Sequence, residues 1–310
     1  MIPQAETTQY SATSSCRNCG SVVAFKKSGL FTDDKRTSDA EIVECTVCNS
    51  HSFISTSEIQ LPELYSQGYF HGDEYYDYDL AAPSFQRNFQ RKISLIRSNG
   101  TLSSPLRILE IGGATGEFFL ALQQASPALD IKEYLSLEVS DYARGRALER
   151  GAQSLSPFDS NTPQAVSSLK PNLIVAWDVW EHLENPADVF SQYLAMASDD
   201  VIIAITTVDS SALTPKLRGR SWRQFHPPTH LNYPSRRAFE VLFSHQELEV
   251  IYHKSFGSYR PLGEYAKLLP HLIRRAIPST LLGFPIYCNT FDTQLVMAQR
   301  IPNRGNFNAI

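Results

Sequence analysis

The sequence lacks several features, each of which is typical of a large class of proteins. No apolar run approaches the roughly 18 residues that a membrane-spanning helix needs, so no membrane span is predicted. The segment after Met1 has no basic stretch followed by an apolar core, so no secretion signal is predicted and a cytoplasmic protein is expected. A net charge of −4 offers no broad cationic surface, which argues against binding nucleic acid mainly through phosphates.

Cysteine is also scarce, but four of the five cysteines are concentrated before position 49. They form two Cys-x-x-Cys pairs, a spacing that can place four thiolates around one tetrahedral ion such as Zn²⁺. Disulfides are the alternative, but a chain without an export signal favours the metal. We therefore predict a structural zinc ribbon over residues 1–57, with short strands at 22–25 and 41–44. Its predicted ligands are Cys16, Cys19, Cys45 and Cys48.

The stretch from Arg107 to Phe118 predicts a strand, a tight glycine-rich turn and a helix that begins at Glu117. Glycines in such a turn let the backbone approach a ligand closely, which indicates a cofactor pocket, although an ordinary strand-to-helix turn is the alternative. A nicotinamide fingerprint would need glycine at position 117, where a glutamate would repel a pyrophosphate. Glu110 at the end of the strand suits a cationic group better, such as an amino-acid ammonium.

Beyond this turn, strands and helices alternate, which predicts an open α/β sheet, mostly parallel, with helices on both faces. Glu138 lies near the end of the second strand, at the distance where a carboxylate accepts both ribose hydroxyls in nucleotide-binding α/β folds. A surface acid is the alternative for Glu138. Asp159 follows the third strand and could accept a hydrogen bond from an adenine amino group, or could cap the next segment.

The motif Glu110-x-Gly112-x-Ala114-x-Gly116 resembles the first motif of class I S-adenosylmethionine (SAM) methyltransferases, usually acidic-x-Gly-x-Gly-x-Gly. It departs at Ala114, whose methyl group narrows the groove without necessarily closing it. The resemblance implies a Rossmann-like sheet with an antiparallel last strand, and SAM as the cofactor. The cofactor-binding residues that it implies are Glu110, Gly112, Gly113, Ala114, Gly116, Glu138, Asp159 and Asp178.

A second motif follows the apolar strand 173–177, whose carboxyl end should open onto the ligand crevice. It resembles the fourth motif of a methyltransferase subgroup with Glu-His-Leu followed by Asp/Asn-Pro. In the related ubiquinone-pathway O-methyltransferases, residues that match Asp178, Glu181 and His182 bind a divalent metal near the substrate. Many relatives are independent of metal, so we favour a hydrogen-bond cluster at the helix entry, with Glu181 on backbone donors, over a second metal site.

The connector after the fifth strand is long, which is typical of a functional loop. Its Trp222 and its Pro-Pro-Thr-His-Leu segment resemble the loop that closes over the substrate in the same subgroup. His182, His226 and His230 are the predicted catalytic residues, because an imidazole can take a proton near neutral pH. Histidines that only hydrogen-bond the loop are the alternative.

The predicted organisation is a zinc ribbon at 1–57, an aromatic and helical connector at 58–100, and a SAM-binding domain at 101–310. The tyrosines between 65 and 78 could line the pocket or simply bury apolar area. The domain contains an insert at about 257–291 whose amphipathic, locally basic stretch could be a lid, a dimer face, a membrane-surface contact or a core-packing helix.

The resemblance covers nearly the whole chain and implies methyl transfer from SAM to a small-molecule or carbohydrate acceptor at an O, N or C nucleophile. A homodimer is one option for its assembly. Two alternatives stay open: an RNA methyltransferase or RNA-binding protein that uses the ribbon, and a SAM-binding scaffold without catalysis. Against RNA stand the net charge and the lack of an Asn/Asp-Pro-Pro-Tyr/Phe segment at 178–181.

Overall fold

The computed structural model describes residues 14–31, 40–55, 78–227, 229–266 and 277–300. The N-terminal part consists of short antiparallel strands. β1 and β2 pair as a small hairpin, and β3, β4 and β5 form a meander. Their bounds are β1 Ser14–Ser15, β2 Val22–Val23, β3 Phe25–Lys27, β4 Ala40–Cys45 and β5 His51–Ser55. Strands were expected at 22–25 and 41–44, whereas β5 was missed.

A long helix, α1 Tyr78–Asn99, precedes the central sheet. Its buried residues Ile93 and Ile96 recur at helical spacing and pack against the sheet, together with the partly buried Phe89. The helix ends at Gly100, whose N–H donates to the Ile96 carbonyl oxygen at 2.9 Å. The tyrosines at 65–77 lie outside the described residues.

A seven-stranded sheet forms the centre of the molecule, in the order β12-β15-β10-β9-β6-β7-β8. Neighbours from β10 to β8 are parallel, and β15 is antiparallel to both of its neighbours. This is the predicted α/β sheet with an antiparallel last strand. Its strands are β6 Leu106–Ile111, β7 Ile131–Leu137, β8 Ser154–Leu155, β9 Leu173–Trp177, β10 Ile202–Val208, β12 Leu248–Ser255 and β15 Thr293–Arg300.

Helices cover both faces of this sheet, so that β9 and β10 are buried along their whole length. One apolar cluster gathers Trp180, Phe190 and Phe239 on one face, and the other gathers Phe118 and Trp177 beneath α1. The helices are α2 Glu117–Gln123, α3 Asp141–Glu149, α4 Thr162–Leu169, α5 Pro186–Ala195, α6 Leu213–Arg218 and α7 Arg236–His245.

The insert before the last strand forms a hairpin of β13 Ser258–Pro261 with β14 Pro285–Cys288. Two short helices accompany it, α8 Leu262–Ala266 and α9 Ser279–Leu282. The hairpin is tied to α1 because the Asn88 side chain accepts from the Tyr259 N–H at 2.7 Å and donates to the Tyr259 carbonyl at 2.9 Å. The amphipathic residues 267–276 lie outside the described part of the chain, so the four interpretations of this stretch remain predictions.

The ribbon and the central domain share a sheet, which the sequence did not predict. β5 pairs antiparallel with β11 Asn232–Tyr233, from the connector after β10. The buried Asn232 side chain accepts from the Ser52 hydroxyl at 2.9 Å and from Asn18 Nδ2 at 3.3 Å, and donates to the Leu183 carbonyl at 2.6 Å. The predicted boundary at residue 57 therefore does not separate two independent sets of contacts.

None of the helices in the described ranges is both long and apolar enough to cross a lipid bilayer.

Replacement of Asn232 by alanine tests how strongly the two parts depend on each other. Asn232→Ala should lower the free energy of unfolding by about 2–3 kcal/mol, because three groups, two of them on the buried residues Asn18 and Ser52, lose a hydrogen bond. The measurement is urea unfolding followed by tryptophan fluorescence. Asn99→Ala, at the exposed end of α1, is the matched control and should change the same quantity by less than about 0.5 kcal/mol. Equal effects of the two substitutions would contradict the proposed link.

Candidate active site

The glycine-rich turn between β6 and α2 is shaped by contacts that exclude side chains. A Cβ on Gly112 would lie 2.3 Å from Val179 Cγ2, and one on Gly113 would lie 2.5 Å from Ser136 Cβ. Gly112 also has a φ of 72°, a left-handed conformation that favours glycine. Ala114 adopts a φ of 44° despite its side chain, so the departure from the usual motif is accommodated as backbone strain.

Glu110, the penultimate residue of β6, has a buried carboxyl group and is 2% exposed. The Tyr134 hydroxyl donates a hydrogen bond to Glu110 Oε2. Burial raises the pKa of Glu110 to about 8, because the ionised form has lost its hydration. A cationic group in contact with this carboxyl would favour the ionised form, as the sequence predicts for an ammonium ligand.

Glu138 lies directly after β7 and reaches across to the glycine-rich turn. Its Oε2 accepts from the Ala114 N–H at 2.9 Å, and its Oε1 accepts from the Ser140 N–H at 2.9 Å. Burial raises the pKa of Glu138, and its hydrogen bonds to backbone N–H groups oppose that shift. The carboxylate is therefore held at the carboxyl edge of the sheet, where a ribose was predicted.

Two cavities open along this edge. Cavity A, of about 240 Å³, contains Glu110, and cavity B, of about 430 Å³, contains Glu138. They share five lining residues, so they form two parts of one crevice at the carboxyl ends of β6, β7 and β9. The shared residues are Gly112, Ala114, Trp177, Asp178 and His182.

Asp159 does not line either cavity. Its Oδ1 accepts from the Asn161 N–H at 2.8 Å and from Asn161 Nδ2 at 3.0 Å, just before α4. These contacts agree with the capping alternative, and the role of Asp159 toward adenine stays a prediction. Pro157 and Phe158 line cavity B in its place, together with Val139.

Asp178 lies where the two cavities meet, with a left-handed φ of 57°. Its side chain is 58% exposed, and its Oδ2 lies 3.8 Å from Nζ of Lys92. Sequence reasoning missed Lys92, which projects from α1 into cavity A and is only 4% exposed. The available signal was the spacing Phe85, Phe89, Lys92, which puts a lysine on an otherwise apolar helix face.

The predicted histidines divide into two groups. His182 and His230 line cavity A, and their rings meet edge to face with centroids 4.7 Å apart. His182 Nδ1 lies 2.9 Å from the Thr229 carbonyl oxygen, and His230 Nδ1 lies 2.8 Å from the Gln224 carbonyl oxygen. His226 lines neither cavity, and its Nδ1 lies 3.1 Å from the Thr229 hydroxyl. Its catalytic role stays a prediction without support from its position.

Burial governs the protonation of these side chains. It lowers the pKa of His182 to about 4 and also lowers the pKa of His230, because the imidazolium would lose its hydration. Burial raises the pKa of Glu181 to about 8. The Thr207 hydroxyl donates to Glu181 Oε2 at 2.7 Å, so Glu181 takes part in the hydrogen-bond cluster that the sequence favoured, with a hydroxyl as donor.

Two groups of side chains in the described ranges could hold a metal ion. One contains the four predicted cysteines, and the other contains Glu181, His182 and His230, with ligand atoms within 4.8 Å of one another. The set implied by the resemblance, with Asp178 in place of His230, is not one of these groups, and Asp178 Oδ2 lies 3.8 Å from Lys92 Nζ.

The four cysteines fit zinc by their spacing and burial. All are at most 1% exposed, with Sγ–Sγ distances of 3.8 Å for Cys16–Cys48 and 4.0 Å for Cys19–Cys45. A tetrahedron with Zn–S bonds of about 2.3 Å has edges of about 3.8 Å. Each Cys-x-x-Cys knuckle is closed by a backbone hydrogen bond. The Gly20 N–H donates to the Cys16 carbonyl at 2.8 Å, and the Asn49 N–H donates to the Cys45 carbonyl at 2.9 Å.

Loss of one thiolate should release the metal and weaken the fold. In Cys48→Ser we expect less than one zinc per chain by elemental analysis and a fall in Tm of about 5 °C or more, because zinc binding stabilises only the folded ribbon. Cys288→Ser changes a cysteine on β14, away from the cluster, and should retain both the zinc and the Tm. A fully zinc-loaded Cys48→Ser protein would overturn the assignment.

Comparison with known proteins bears on this crevice. A family model described as a methyltransferase domain matches residues 79–253, more than half of the chain. No curated protein matches the chain.

Solved structures share the fold at low sequence identity. Magnesium protoporphyrin IX methyltransferase from Synechocystis PCC 6803, with bound S-adenosylhomocysteine, is 12% identical with a TM-score of 0.46, and the match covers 78% of this chain and 98% of that one. A chain of the complex between the Haloferax volcanii Trm112 methyltransferase activator and a methyltransferase is 13% identical with a TM-score of 0.50, covering 74% and 96%. A SAM-dependent methyltransferase from Archaeoglobus fulgidus is 13% identical with a TM-score of 0.44, covering 69% and 94%.

Proposed function

The chain belongs to the methyltransferase domain family and is a SAM-dependent enzyme, and on that premise we propose that it methylates a small-molecule or carbohydrate acceptor. The attacking atom would be an O, N or C nucleophile. The observation that supports this proposal is the two-part crevice, with a buried carboxyl group in each part and Asp178 at the junction.

The proposed placement of the cofactor follows from the charges and shapes of the two cavities. Glu110 in cavity A would bind the ammonium of the amino-acid end. Glu138 in cavity B would accept from the ribose hydroxyls, and Phe158 would pack against the base. Asp178 would lie near the sulfonium, because an exposed carboxylate at the junction favours a positive charge there.

SAM supplies a methyl group that is electrophilic without further activation. The chain therefore has to align the acceptor atom about 3 Å from that carbon and handle the proton that the acceptor loses. Cavity A, of about 240 Å³, would also hold the amino-acid end of SAM, so the remaining volume suits a small acceptor or one sugar ring and supports the proposed class. His182 and His230 line the same cavity, as predicted for groups on the acceptor side.

Cofactor binding can be measured before any acceptor is known. We expect the zinc-replete protein to bind SAM and S-adenosylhomocysteine in isothermal titration calorimetry. Glu138→Gln should weaken both by about tenfold or more, because an amide loses one acceptor and the charge that binds two hydroxyls. Glu149→Gln, on the exposed side of α3, should bind like the wild type. Failure of the wild-type protein to bind either ligand would overturn the proposed function.

The acceptor class can be tested with SAM that carries tritium in its methyl group. We expect label to pass into the low-molecular-mass fraction of a cell extract, because cavity A is small and the chain is acidic overall. Glu138→Gln should reduce this transfer, and Glu149→Gln should leave it unchanged. Transfer to a fraction that ribonuclease destroys would favour the RNA alternative instead, and binding without any transfer would favour the scaffold.

A further inference from the structure

Lys92 is a charged side chain of the crevice that has no part in the roles assigned so far. Lys92 projects from α1 into cavity A, on the helix face that also carries Phe85, Asn88 and Phe89 at spacings of three and four residues. It is 4% exposed, which is exceptional for a lysine without a close, fully buried counter-ion. Burial of this side chain therefore requires a reason in the site itself.

The contacts of Lys92 place its amino group above the ends of two central strands. Nζ donates to the Thr206 hydroxyl at 3.2 Å and lies 3.8 Å from Asp178 Oδ2. Aromatic rings enclose the rest: Nζ lies 4.5 Å from the centroid of Trp177, 5.0 Å from that of Phe89 and 5.7 Å from that of Phe256. The amine thus lies beside Asp178, where cavities A and B meet, in a largely apolar enclosure.

Charged groups of both signs surround this amine. Acids face it from the end of β6, from the residue after β9 and from the turn that follows, and these are Glu110, Asp178 and Glu181. Other titratable or cationic groups line the same cavity or pack beyond Phe256, and these are Glu117, His182, His230, Arg223, Tyr259, Arg260 and Arg91. Despite the acids, burial is the larger influence and lowers the pKa of Lys92.

The histidines of cavity A are less suited to hold a proton. The pKa of His182 is lowered to about 4, and an acid that strong returns its proton readily at neutral pH. A base is most effective when its pKa lies near the working pH, and a lysine whose pKa falls from above ten moves toward that range. Position and chemistry therefore favour the amine over either imidazole.

We propose that Lys92 is the catalytic residue that takes the acceptor's proton during methyl transfer, an inference that rests on the proposed function. The acceptor atom forms a bond to the methyl carbon, the carbon–sulfur bond breaks, and its electron pair stays on sulfur. The acceptor's proton passes to the neutral amine of Lys92. The positive charge lost at sulfur thus reappears on Lys92, and the total charge of the buried site is unchanged.

This exchange of charge predicts a linkage that needs no acceptor. SAM carries a positive sulfur and S-adenosylhomocysteine a neutral one, so SAM should disfavour the protonated amine and S-adenosylhomocysteine should not. We define the SAM preference as the Kd of S-adenosylhomocysteine divided by the Kd of SAM. Contacts with the amino acid, the ribose and the base are common to both ligands and cancel in this ratio.

Two variants with a fixed charge at position 92 give the two limiting values of the SAM preference. Lys92→Met is neutral at every pH, and Lys92→Arg is charged at every pH. We measure the SAM preference by calorimetry from pH 6 to 9.5. The SAM preference of Lys92→Met should be about tenfold higher than that of Lys92→Arg at every pH, as expected for a nearby unit charge. The SAM preference of the wild type should equal that of Lys92→Arg at low pH, where the amine is protonated. It should equal that of Lys92→Met at high pH, where the amine is neutral.

Controls separate this proposal from the one on which it rests. Lys132→Met, at an exposed position on β7, should reproduce the wild-type curve. If the Arg variant does not fold, calorimetry in two buffers replaces it: the wild type should take up more protons with S-adenosylhomocysteine than with SAM, and Lys92→Met should lose that difference. A wild type that binds both ligands but follows one variant at every pH, or whose proton difference survives in Lys92→Met, overturns the role of Lys92. A wild type that binds neither ligand overturns the proposed function instead.

Discussion

Three buried carboxyl groups line the crevice at the carboxyl edge of the central sheet, and the architecture of the site depends on how each is stabilised. Glu110 accepts from a tyrosine hydroxyl, Glu138 from two backbone N–H groups, and Glu181 from a threonine hydroxyl. A buried carboxylate without a donor would be strongly unfavourable, so these contacts fix the positions of the acids before any ligand binds. The edge is thereby preorganised for a ligand that carries a positive charge.

The N-terminal ribbon contacts the connector at this same edge of the sheet and is not an independent structural unit. The connector that carries His230 continues directly into β11, which pairs with β5 of the ribbon. Ser235 then begins α7, and its hydroxyl donates to the carbonyl of Cys48 at 2.5 Å. A metal bound by the cysteines would therefore also stabilise the connector, because the Cys45–Cys48 knuckle is hydrogen-bonded to the residue at which α7 begins.

Proton handling in cavity A follows from the same enclosure. Burial acts against the charged forms of His182, His230 and Lys92, so the histidines become weak bases and the lysine loses part of its affinity for protons. A neutral Lys92 amine is compatible with a cationic methyl donor, because it adds no repulsion at the sulfur. The acids near Lys92 would then stabilise the ammonium that forms as the sulfur loses its charge.

The sequence by itself determined the features that depend on local order: the glycine-rich turn, the alternation of strands and helices, and the spacing of the cysteines. These follow from backbone conformations and periodicities that span only a few residues. Tertiary structure alone decided that β5 pairs with β11, that His230 and not His226 joins His182, and that Asp178 lies beside Lys92 from a helix 86 residues earlier. Such contacts join residues far apart in the chain, and their geometry is fixed by the packing of elements whose mutual positions no local pattern encodes.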